Sequence, residues 1–166
     1  MSPQQSLSGD RPKAAPKPTP ETQPYWDAAN RRELAIQRCT SCGKAFFYPR
    51  SACPVCYSKQ VEWFVASGRA RLHTYLISHR PAPGFAEQVP YAIAVVELEE
   101  GPRMMTNVVG VDNTPENLVL DMDLEVDFEP RGAQLVPVFR PAGSRAENAA
   151  VHAAGSVAGS PAESPA

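Results

Sequence analysis

Four cysteines are the residues whose spacing most clearly predicts chemistry. Cys39 and Cys42 form one C-x2-C pair, and Cys53 and Cys56 form a second pair after ten intervening residues. Each pair turns tightly enough to present two sulfur atoms to one ion, and zinc prefers tetrahedral coordination by thiolates. The spacing therefore predicts one zinc ion per chain. Gly43 follows the first pair, where such a turn often requires a positive φ angle.

A zinc ion held by four cysteines is predicted to be structural. Catalytic zinc keeps one coordination position open for water or substrate, and four thiolates leave none. Zinc of this kind holds together a segment too small to have its own core. If all four cysteines bind zinc, none is left to act as a nucleophile. The sequence also has no P-loop, dinucleotide-binding glycine motif or G-x-S-x-G motif, so it predicts a non-catalytic chain.

A short helix is expected just before the zinc-binding segment. Pro24 suits the first helical turn, and Tyr25 and Trp26 open a helix predicted to extend to about Leu34. These two rings either staple the helix onto its own domain or anchor a partner. The helix and a zinc ribbon are together assigned to residues 24–66.

Two aromatic-rich, strand-like runs flank the second cysteine pair. The first contains Phe46, Phe47 and Tyr48, and the second is Val61–Val65. The first run is either the small core of the ribbon or an exposed anchor for a partner.

Residues 67–141 are predicted to form a small barrel. Five short strands separated by tight turns fit a barrel or sandwich, and five is the strand count of the OB-fold. The predicted fold is therefore mostly β, with an N-terminal helix, a rubredoxin-like zinc ribbon and a five-stranded OB-fold barrel. The predicted strands are Ala70–Ser78, Tyr91–Leu98, Arg103–Val109, Leu124–Glu129 and Gln134–Phe139.

Both ends of the chain are predicted to be disordered. Residues 1–23 contain five prolines but only one leucine and no aromatic residue, which predicts a disordered arm or linker. Residues 142–166 are rich in Ala, Gly, Ser and Pro and are predicted to form a disordered tail. We expect a cytoplasmic protein, because no secretory signal and no membrane-spanning run is apparent.

Charge argues against a nucleic-acid partner. Residues 24–66 hold six basic and three acidic residues, giving +3, whereas residues 67–140 hold six basic and eleven acidic residues, giving −5. Phosphate binding depends on Lys and Arg, so an acidic barrel suits nucleic acid poorly. A single-stranded nucleic-acid binder is kept only as an alternative.

Histidines and acids offer few further candidates for chemistry. His73 lies within a predicted strand, and His79 begins the proline-rich loop 79–90, where it is a candidate ligand contact. The period-two spacing of five acids predicts the solvated face of one strand rather than a cation site. These acids are Asp121, Asp123, Glu125, Asp127 and Glu129.

A set of short motifs follows in order along residues 24–141. The motifs are Pro24-Tyr25-Trp26, Arg38-Cys39-x2-Cys42-Gly43, Tyr48-Pro49-Arg50, Cys53-Pro54-x-Cys56, Glu62-Trp63, Ser67-Gly68-Arg69, Pro90-Tyr91, Val96-Glu97-Leu98-x2-Gly101 and Phe139-Arg140-Pro141. Taken together, this ordered set resembles the DUF35 family, zinc-ribbon and OB-fold proteins that are associated with acyl-CoA metabolism.

The resemblance implies an accessory subunit whose partner carries the catalytic residues. DUF35 proteins act beside thiolase-superfamily enzymes, and some act beside, or are fused to, MaoC-like enoyl-CoA hydratases. In actinobacterial sterol degradation, such a domain supports a thiolase-like retro-aldolase acting on a steroid acyl-CoA. The implied assembly is a hetero-oligomer in which this chain helps form the acyl-CoA channel of a thiolase or retro-aldolase. The arm before Pro24 would suit a linker next to a hydratase.

The resemblance also directs attention to contact residues. The ribbon and its helix are expected to dock on the enzyme, and the loop 79–90 is expected to help line the channel. A stand-alone acyl-CoA binder is a further alternative. Candidates for the phosphates of CoA are Arg31, Arg32, Arg38, Lys44 and Arg50. Candidate contacts with acyl-CoA or the partner are Tyr25, Trp26, Arg38, Phe46, Phe47, Tyr48, Arg50 and His79.

Overall fold

The computed structural model describes residues 12–143, which form one α-helix, a three-stranded sheet and a closed five-stranded barrel. Residues 1–11 and 144–166, including nearly all of the predicted tail, lie outside the described residues. No helix in the described range is long and apolar enough to cross a membrane. The elements are α1 Gln23–Asn30, β1 Ala35–Cys39, β2 Ala45–Phe46, β3 Val61–Val65, β4 Arg69–Ser78, β5 Tyr91–Leu98, β6 Arg103–Val108, β7 Asp123–Arg131 and β8 Gln134–Pro141, with a 3-10 turn at Ala86–Gln88.

Helix α1 is shorter than the sequence predicts. It begins at Gln23 with a proline in its first turn, as expected, but it ends at Asn30 rather than near Leu34. Arg32 adopts a φ of 62°, and this left-handed conformation cannot continue a right-handed helix. The chain therefore turns and enters β1 at Ala35.

The ribbon sheet has the strand order β2-β1-β3, with both pairings antiparallel. Strand β1 lies in the centre, where Gln37 is opposite Phe46 on one side and Trp63 on the other. Four of its five residues are buried because it has neighbours on both edges. This central strand ends at Cys39 and so delivers the first zinc ligand from a fixed position.

The barrel confirms the predicted OB-fold, with the strand order β4-β5-β6-β8-β7. All strand pairings are antiparallel except the closing contact between β6 and β8, where Val108 pairs with Phe139. The interior is filled by side chains that point inward from alternate positions. The largest of these, each at most 2% exposed, are Leu72, Val96, Leu98, Val108, Leu124 and Phe139.

The ribbon and the barrel share one hydrophobic core. Tyr25, Leu34 and Ile36 of the helix–ribbon unit belong to the same buried cluster as the barrel residues. The carbonyl oxygen of the Asn30 side chain also accepts a hydrogen bond of 2.9 Å from the backbone N–H of Leu135. Helix α1 is thereby fixed to the start of β8.

Part of the expected disordered arm is folded against the barrel. Residues 12–19 have no regular secondary structure and residues 20–22 form a turn, and within this segment Lys13, Pro16 and Pro18 are half-buried. This finding corrects the expectation for those residues. Its physical reason is that contacts from two loops of the barrel compensate for the low apolar content of the segment.

Candidate metal centre and interaction surfaces

The sulfur atoms of the four cysteines converge at one side of the ribbon. All four Sγ atoms lie within 4.8 Å of one another. Cys39 Sγ lies 3.6 Å from Cys56 Sγ, and Cys42 Sγ lies 3.7 Å from Cys53 Sγ. Sulfur atoms at about 2.3 Å from a central zinc ion are about 3.8 Å apart in a tetrahedron, so the cluster fits the metal.

Two turns of the same shape present these sulfur atoms. The backbone N–H of Gly43 donates to the carbonyl of Cys39, and the N–H of Tyr57 donates to the carbonyl of Cys53, at 2.8 and 3.0 Å. Gly43 has a φ of 72° and Tyr57 a φ of 59°. The expected positive φ at Gly43 is confirmed. The second turn requires the same positive φ angle of Tyr57, and the sequence did not predict this.

The thiols differ in how readily they ionise. Burial raises the pKa of Cys39, but hydrogen bonds from the backbone N–H groups of Cys42 and Ser41, and from neighbouring thiols, lower it to about 6. The backbone N–H of Ser58 lowers the pKa of Cys56, but the adjacent thiols, Cys42 first, outweigh this and raise it to about 12. Four thiolates this close repel one another, so a bound cation is needed to keep all four deprotonated.

The cluster is therefore a structural zinc site for one ion. Cys39 and Cys53 are buried with Phe46, while Cys42 and Cys56 lie at the exposed edge. The four sulfurs complete a tetrahedral shell. The ion would tie together a sheet whose own buried cluster contains very few apolar residues.

Most of the aromatic candidates pack inside the protein. Tyr25 is 7% exposed, and its ring centre lies 4.9 Å from that of Trp26 and 5.7 Å from that of Phe47. Burial raises the pKa of the Tyr25 hydroxyl well above its ordinary value, with a further contribution from Tyr48. Phe46 is buried in the ribbon beside the zinc ligands. Contact of these residues with a partner stays a prediction.

Three apolar residues in the segment from Tyr48 to Tyr57 are exposed. We name Tyr48, Val55 and Tyr57 the ribbon surface, since their exposed fractions are 58, 61 and 82%. Tyr57 lines a groove together with Pro54 and Arg50. Val55 and Tyr57 were not among the predicted contacts. Their positions in the sequence could have indicated this exposure. Val55 lies inside the second C-x2-C pair and Tyr57 directly follows it, where the turn leaves side chains in solvent.

Ion pairing separates the basic candidates into two groups. Lys44 and Arg50 are exposed and form no ion pair within residues 12–143. The backbone N–H of Arg50 donates to the side-chain oxygen of Gln37 at 2.7 Å. The guanidinium of Arg50 forms no ion pair with a carboxylate of residues 12–143. The other three are paired, as Arg31–Glu33, Arg32–Asp127 and Arg38–Glu62, at 2.9, 3.8 and 2.6 Å.

The two histidines lie apart from the zinc site. His79 is exposed at the start of the loop 79–90, and His73 is exposed on β4. The pairing register of β4 shifts between Leu72 and Thr74, so His73 occupies a β-bulge. Ligand contact by His79 stays a prediction.

The acidic face of β7 is only partly solvated. Asp123 is exposed, as predicted, but the side chains of Asp127 and Glu129 are 17 and 23% exposed. Asp127 forms an ion pair with Arg140, and Glu129 pairs with Lys13 from the segment before α1. The prediction of a fully solvated face is wrong here because other parts of the chain cover it.

The barrel also exposes apolar side chains on its outer face. Leu76 and Met105 are 54 and 63% exposed. Leu76 is opposite Ile93 and Met105 is opposite Val95, so the four residues form a patch across β4, β5 and β6. We name this the barrel patch. In the sequence, the unbroken apolar run 91–96 could have indicated this patch, because such a run is typical of a strand covered on both faces.

Two family models match consecutive parts of the chain. The model described as "ChsH2, rubredoxin-like zinc ribbon domain" matches residues 26–62. The model described as "ChsH2, C-terminal OB-fold domain" matches residues 63–129. The boundary between the models falls within β3, immediately before the junction to the barrel.

Two relatives illustrate the range of proteins that contain this unit. The chain is 35% identical to a "DUF35 domain-containing scaffold protein" of Methanothermobacter thermautotrophicus over 59% of its own length and 73% of the relative's. It is 36% identical to a "Probable enoyl-CoA hydratase alpha subunit" of Thermomonospora curvata over 75% of its own length. It spans only 38% of the length of that second protein.

A solved structure shares both the fold and the sequence pattern. The structure named "Ltp2-ChsH2(DUF35) aldolase" contains a chain that superposes with a TM-score of 0.68 at 33% identity. The match covers 77% of this chain and 99% of that one. The chain belongs to the DUF35 family.

Proposed function

We propose that this DUF35 chain is a non-catalytic accessory subunit that binds a thiolase-superfamily enzyme, a thiolase or retro-aldolase, and helps form its acyl-CoA channel. The observation that carries the proposal is the match to nearly the whole DUF35 chain of a structure named as an aldolase. The zinc site agrees with this role, since it uses all four cysteines of the chain as ligands. By the resemblance described above, the substrate class is an acyl-CoA thioester, and a steroid acyl-CoA is the narrower proposal.

The ribbon surface is the part of the chain that we propose docks on the enzyme. Large apolar side chains that stay exposed on their own chain are typical of interface anchors, and tyrosine is enriched among them. Tyr57 is 82% exposed, the largest exposed fraction among the exposed hydrophobic residues of the described range. The zinc ion fixes the turn that carries Tyr57, so docking and metal binding are coupled.

Substitution of Tyr57 tests this docking surface. Tyr57→Asn keeps a residue that tolerates positive φ, so the fold and the zinc content are expected to be unchanged. We expect the Kd for the enzyme to rise about tenfold or more, as for the loss of a buried tyrosine anchor. Leu76→Thr in the barrel patch is the matched comparison. If it weakens the complex and Tyr57→Asn does not, docking uses the barrel rather than the ribbon.

Lys44 and Arg50 are the proposed contacts for the phosphates of CoA. Both cations lack a carboxylate partner among residues 12–143, so they are not neutralised as the three paired arginines are. We expect Arg50→Ala to raise the KM of the assembled complex for acyl-CoA. Arg31→Ala, which removes a cation already paired with Glu33, is the control and is expected to leave KM unchanged.

A hydratase is the proposed second partner. The relative from Thermomonospora curvata is named as a hydratase alpha subunit, and this chain spans 38% of its length. We infer that the unit described here serves enzymes of more than one activity by presenting the same ribbon and barrel. Co-purification with a MaoC-like hydratase is the test, and failure to bind while the thiolase-like enzyme binds would limit the role to one partner.

The nucleic-acid alternative gains no support from the barrel surface. Single-strand binding by an OB-fold uses stacking aromatics and a basic groove. The outward residues of β5 and β6 are instead aliphatic at Ile93, Val95 and Met105, and Arg103 is paired with Glu97 at 2.8 Å. This surface suits another protein better than it suits a polyanion.

A further inference from the structure

Lys13, near the start of the described chain, is held by the barrel. Its Nζ atom lies 2.5 Å from Glu129 Oε1 and 4.5 Å from the centre of the Phe85 ring. Only 11% of the Lys13 side chain is exposed. A lysine in an unstructured arm would be almost fully solvated, so these contacts incorporate Lys13 into the fold. Lys17, four residues later, is exposed and forms no ion pair or cation–ring contact within residues 12–143.

Two glycines let the backbone of this segment approach the barrel closely. A Cβ atom on Gly84 would overlap the backbone of Lys13, and a Cβ atom on Gly132 would lie 2.8 Å from Ala15 Cβ. The segment therefore crosses the turn between β7 and β8 and reaches the loop 79–90. It touches the barrel at two separate places, and neither approach leaves room for a larger residue.

Phe85 is the residue of the loop on which these contacts converge. Its ring stacks on Tyr91 with centres 4.6 Å apart, while Lys13 and Arg131 lie over it at 4.5 and 5.5 Å. A cation over an aromatic face is attracted by the electron density of the ring, more strongly when water is excluded. Within the loop itself, the backbone N–H of Phe85 donates to the carbonyl of Ala82, and the N–H of Gln88 donates to the carbonyl of Phe85. The contacts of the Phe85 ring, by contrast, come from outside this turn.

A cavity of about 410 Å³ lies between the loop 79–90 and the segment after β6. Its wall includes Lys13, Phe85, Asn107, Asn113 and Glu129. The side-chain oxygen of Asn113 is buried there without a hydrogen-bond partner in the described structure. The loop and Lys13 together determine how open this cavity is.

We propose that residues 13–16 form a strap that locks the loop 79–90 over this cavity, with Lys13 as its fastening residue. The strap joins three parts of the fold that are far apart in sequence: the segment before α1, the loop between β4 and β5, and the hairpin of β7 and β8. The strap is a segment of this chain, and the carboxylate of Glu129 and the ring of Phe85 hold it in place. The loop is held in one position rather than left to sample many.

Hydrogen exchange of the full chain tests the strap. Lys13→Met keeps the length and apolar character of the side chain but removes its charge, so the ion pair and the attraction to the Phe85 ring are both lost. We expect the backbone amides of residues 82–91 to exchange about tenfold faster, because the loop opens more often. Lys17→Met, in the same segment, is the control and is expected to leave these rates unchanged. Unchanged exchange in Lys13→Met overturns the strap.

Proton NMR supplies a second, independent readout. The side-chain protons of a lysine held over an aromatic ring resonate upfield of those of a solvated lysine. We expect the ε-protons of Lys13, but not those of Lys17, to show this shift, and we expect Phe85→Leu to abolish it. Ordinary lysine resonances for Lys13 in the unmodified protein would contradict the strap even if Lys13→Met changed the exchange rates.

The functional consequence rests on the proposed function, in which the loop 79–90 lines the acyl-CoA channel of the complex. A loop that opens more often binds substrate less well, so Lys13→Met is expected to raise the KM for acyl-CoA about threefold or more without changing kcat. If Lys13→Met makes the loop amides exchange faster but leaves KM unchanged, the strap is supported. The proposal that the loop lines the acyl-CoA channel is then contradicted. Unchanged exchange rejects the strap and leaves the accessory role standing.

Discussion

At the scale of single residues, the buried zinc ligands act both as metal ligands and as core residues. Cys39 and Cys53 are 0 and 1% exposed and pack with Phe46, while the other two ligands lie at the surface. Loss of a buried ligand therefore removes metal coordination and packing together. This distinguishes the cluster from a surface metal site, which could lose its ion without unfolding.

Replacement of Cys39 by Ser is expected to unfold the ribbon. The hydroxyl is a poor zinc ligand, and the metal binding energy is folding energy for a unit this small. We expect zinc content measured by mass spectrometry to fall to near zero and the fluorescence of Trp63 to shift toward that of a solvated indole. Ser51→Ala, an exposed change within the same ribbon, is the control. Full zinc occupancy in Cys39→Ser would contradict the four-ligand site.

Gly68 is the residue that joins the ribbon to the barrel without steric conflict. Its φ is 77°, and an added Cβ would lie 2.6 Å from Val126 Cγ1. Gly68→Ala is expected to lower the free energy of unfolding by about 2–4 kcal/mol, from backbone strain together with overpacking. Gly101→Ala is the matched control, because its φ is also positive but nothing lies within 4 Å. Equal losses in the two variants would show that the contact with Val126 has no energetic weight.

Residue types predicted the cysteine cluster but not the exposed apolar side chains of the ribbon. The cysteine spacing is sufficient because one shared metal explains two such pairs most simply. The exposure of Tyr57 follows from the backbone of the second turn, which has no glycine to mark it. The pairing of Asp127 and Glu129 depends on Arg140 and Lys13, and sequence distance hides such partners.

At the scale of elements, the two-residue alternation of apolar side chains and the turn-forming prolines and glycines predicted the barrel strands well. The predicted strands agree with the observed ones to within two residues, since prolines and glycines bound nearly every run. The predicted helix is too long because arginine at position 32 does not indicate the left-handed conformation that ends α1. The bulge at His73 was also missed, although it changes which residues of β4 face inward.

Acid is expected to release the strap. Burial raises the pKa of Glu129, but hydrogen bonds and charge from Lys13 and Arg131 outweigh it and hold the pKa below its ordinary value. A depressed pKa means that the ion pair stabilises the fold above the unfolded value of about 4.3 and is lost as pH falls through the folded value. We expect the upfield shift of Lys13 to disappear in that range below pH 4.3. Persistence of the shift in fully protonated protein would contradict this contribution of Glu129.

At the scale of the whole molecule, a shared core couples the ribbon to the barrel. Leu34 and Ile36 lie in one cluster with Leu72 and Phe139, so the two parts cannot separate without exposing apolar surface. The sequence did not predict this common core. That contact depends on how α1 packs against β8, which composition and periodicity do not specify.

Zinc removal is accordingly expected to destabilise the entire described unit. Chelation should lower the Tm of a single cooperative transition, and restored zinc, but not magnesium, should reverse the change because magnesium prefers oxygen ligands. Calorimetry of the full chain with and without chelator is the measurement. Two separate transitions, with the upper one insensitive to zinc, would show that the barrel folds independently of the ribbon.

The accessory role is tested most directly by combining this chain with a thiolase-like enzyme of the same source. The two proteins would be co-expressed and separated by size-exclusion chromatography, with zinc and acyl-CoA turnover measured in each peak. We expect co-elution with about one zinc per chain, turnover in the complex and none by the isolated chain. A zinc-loaded chain that elutes alone beside every such enzyme, or that turns over acyl-CoA by itself, would contradict the account.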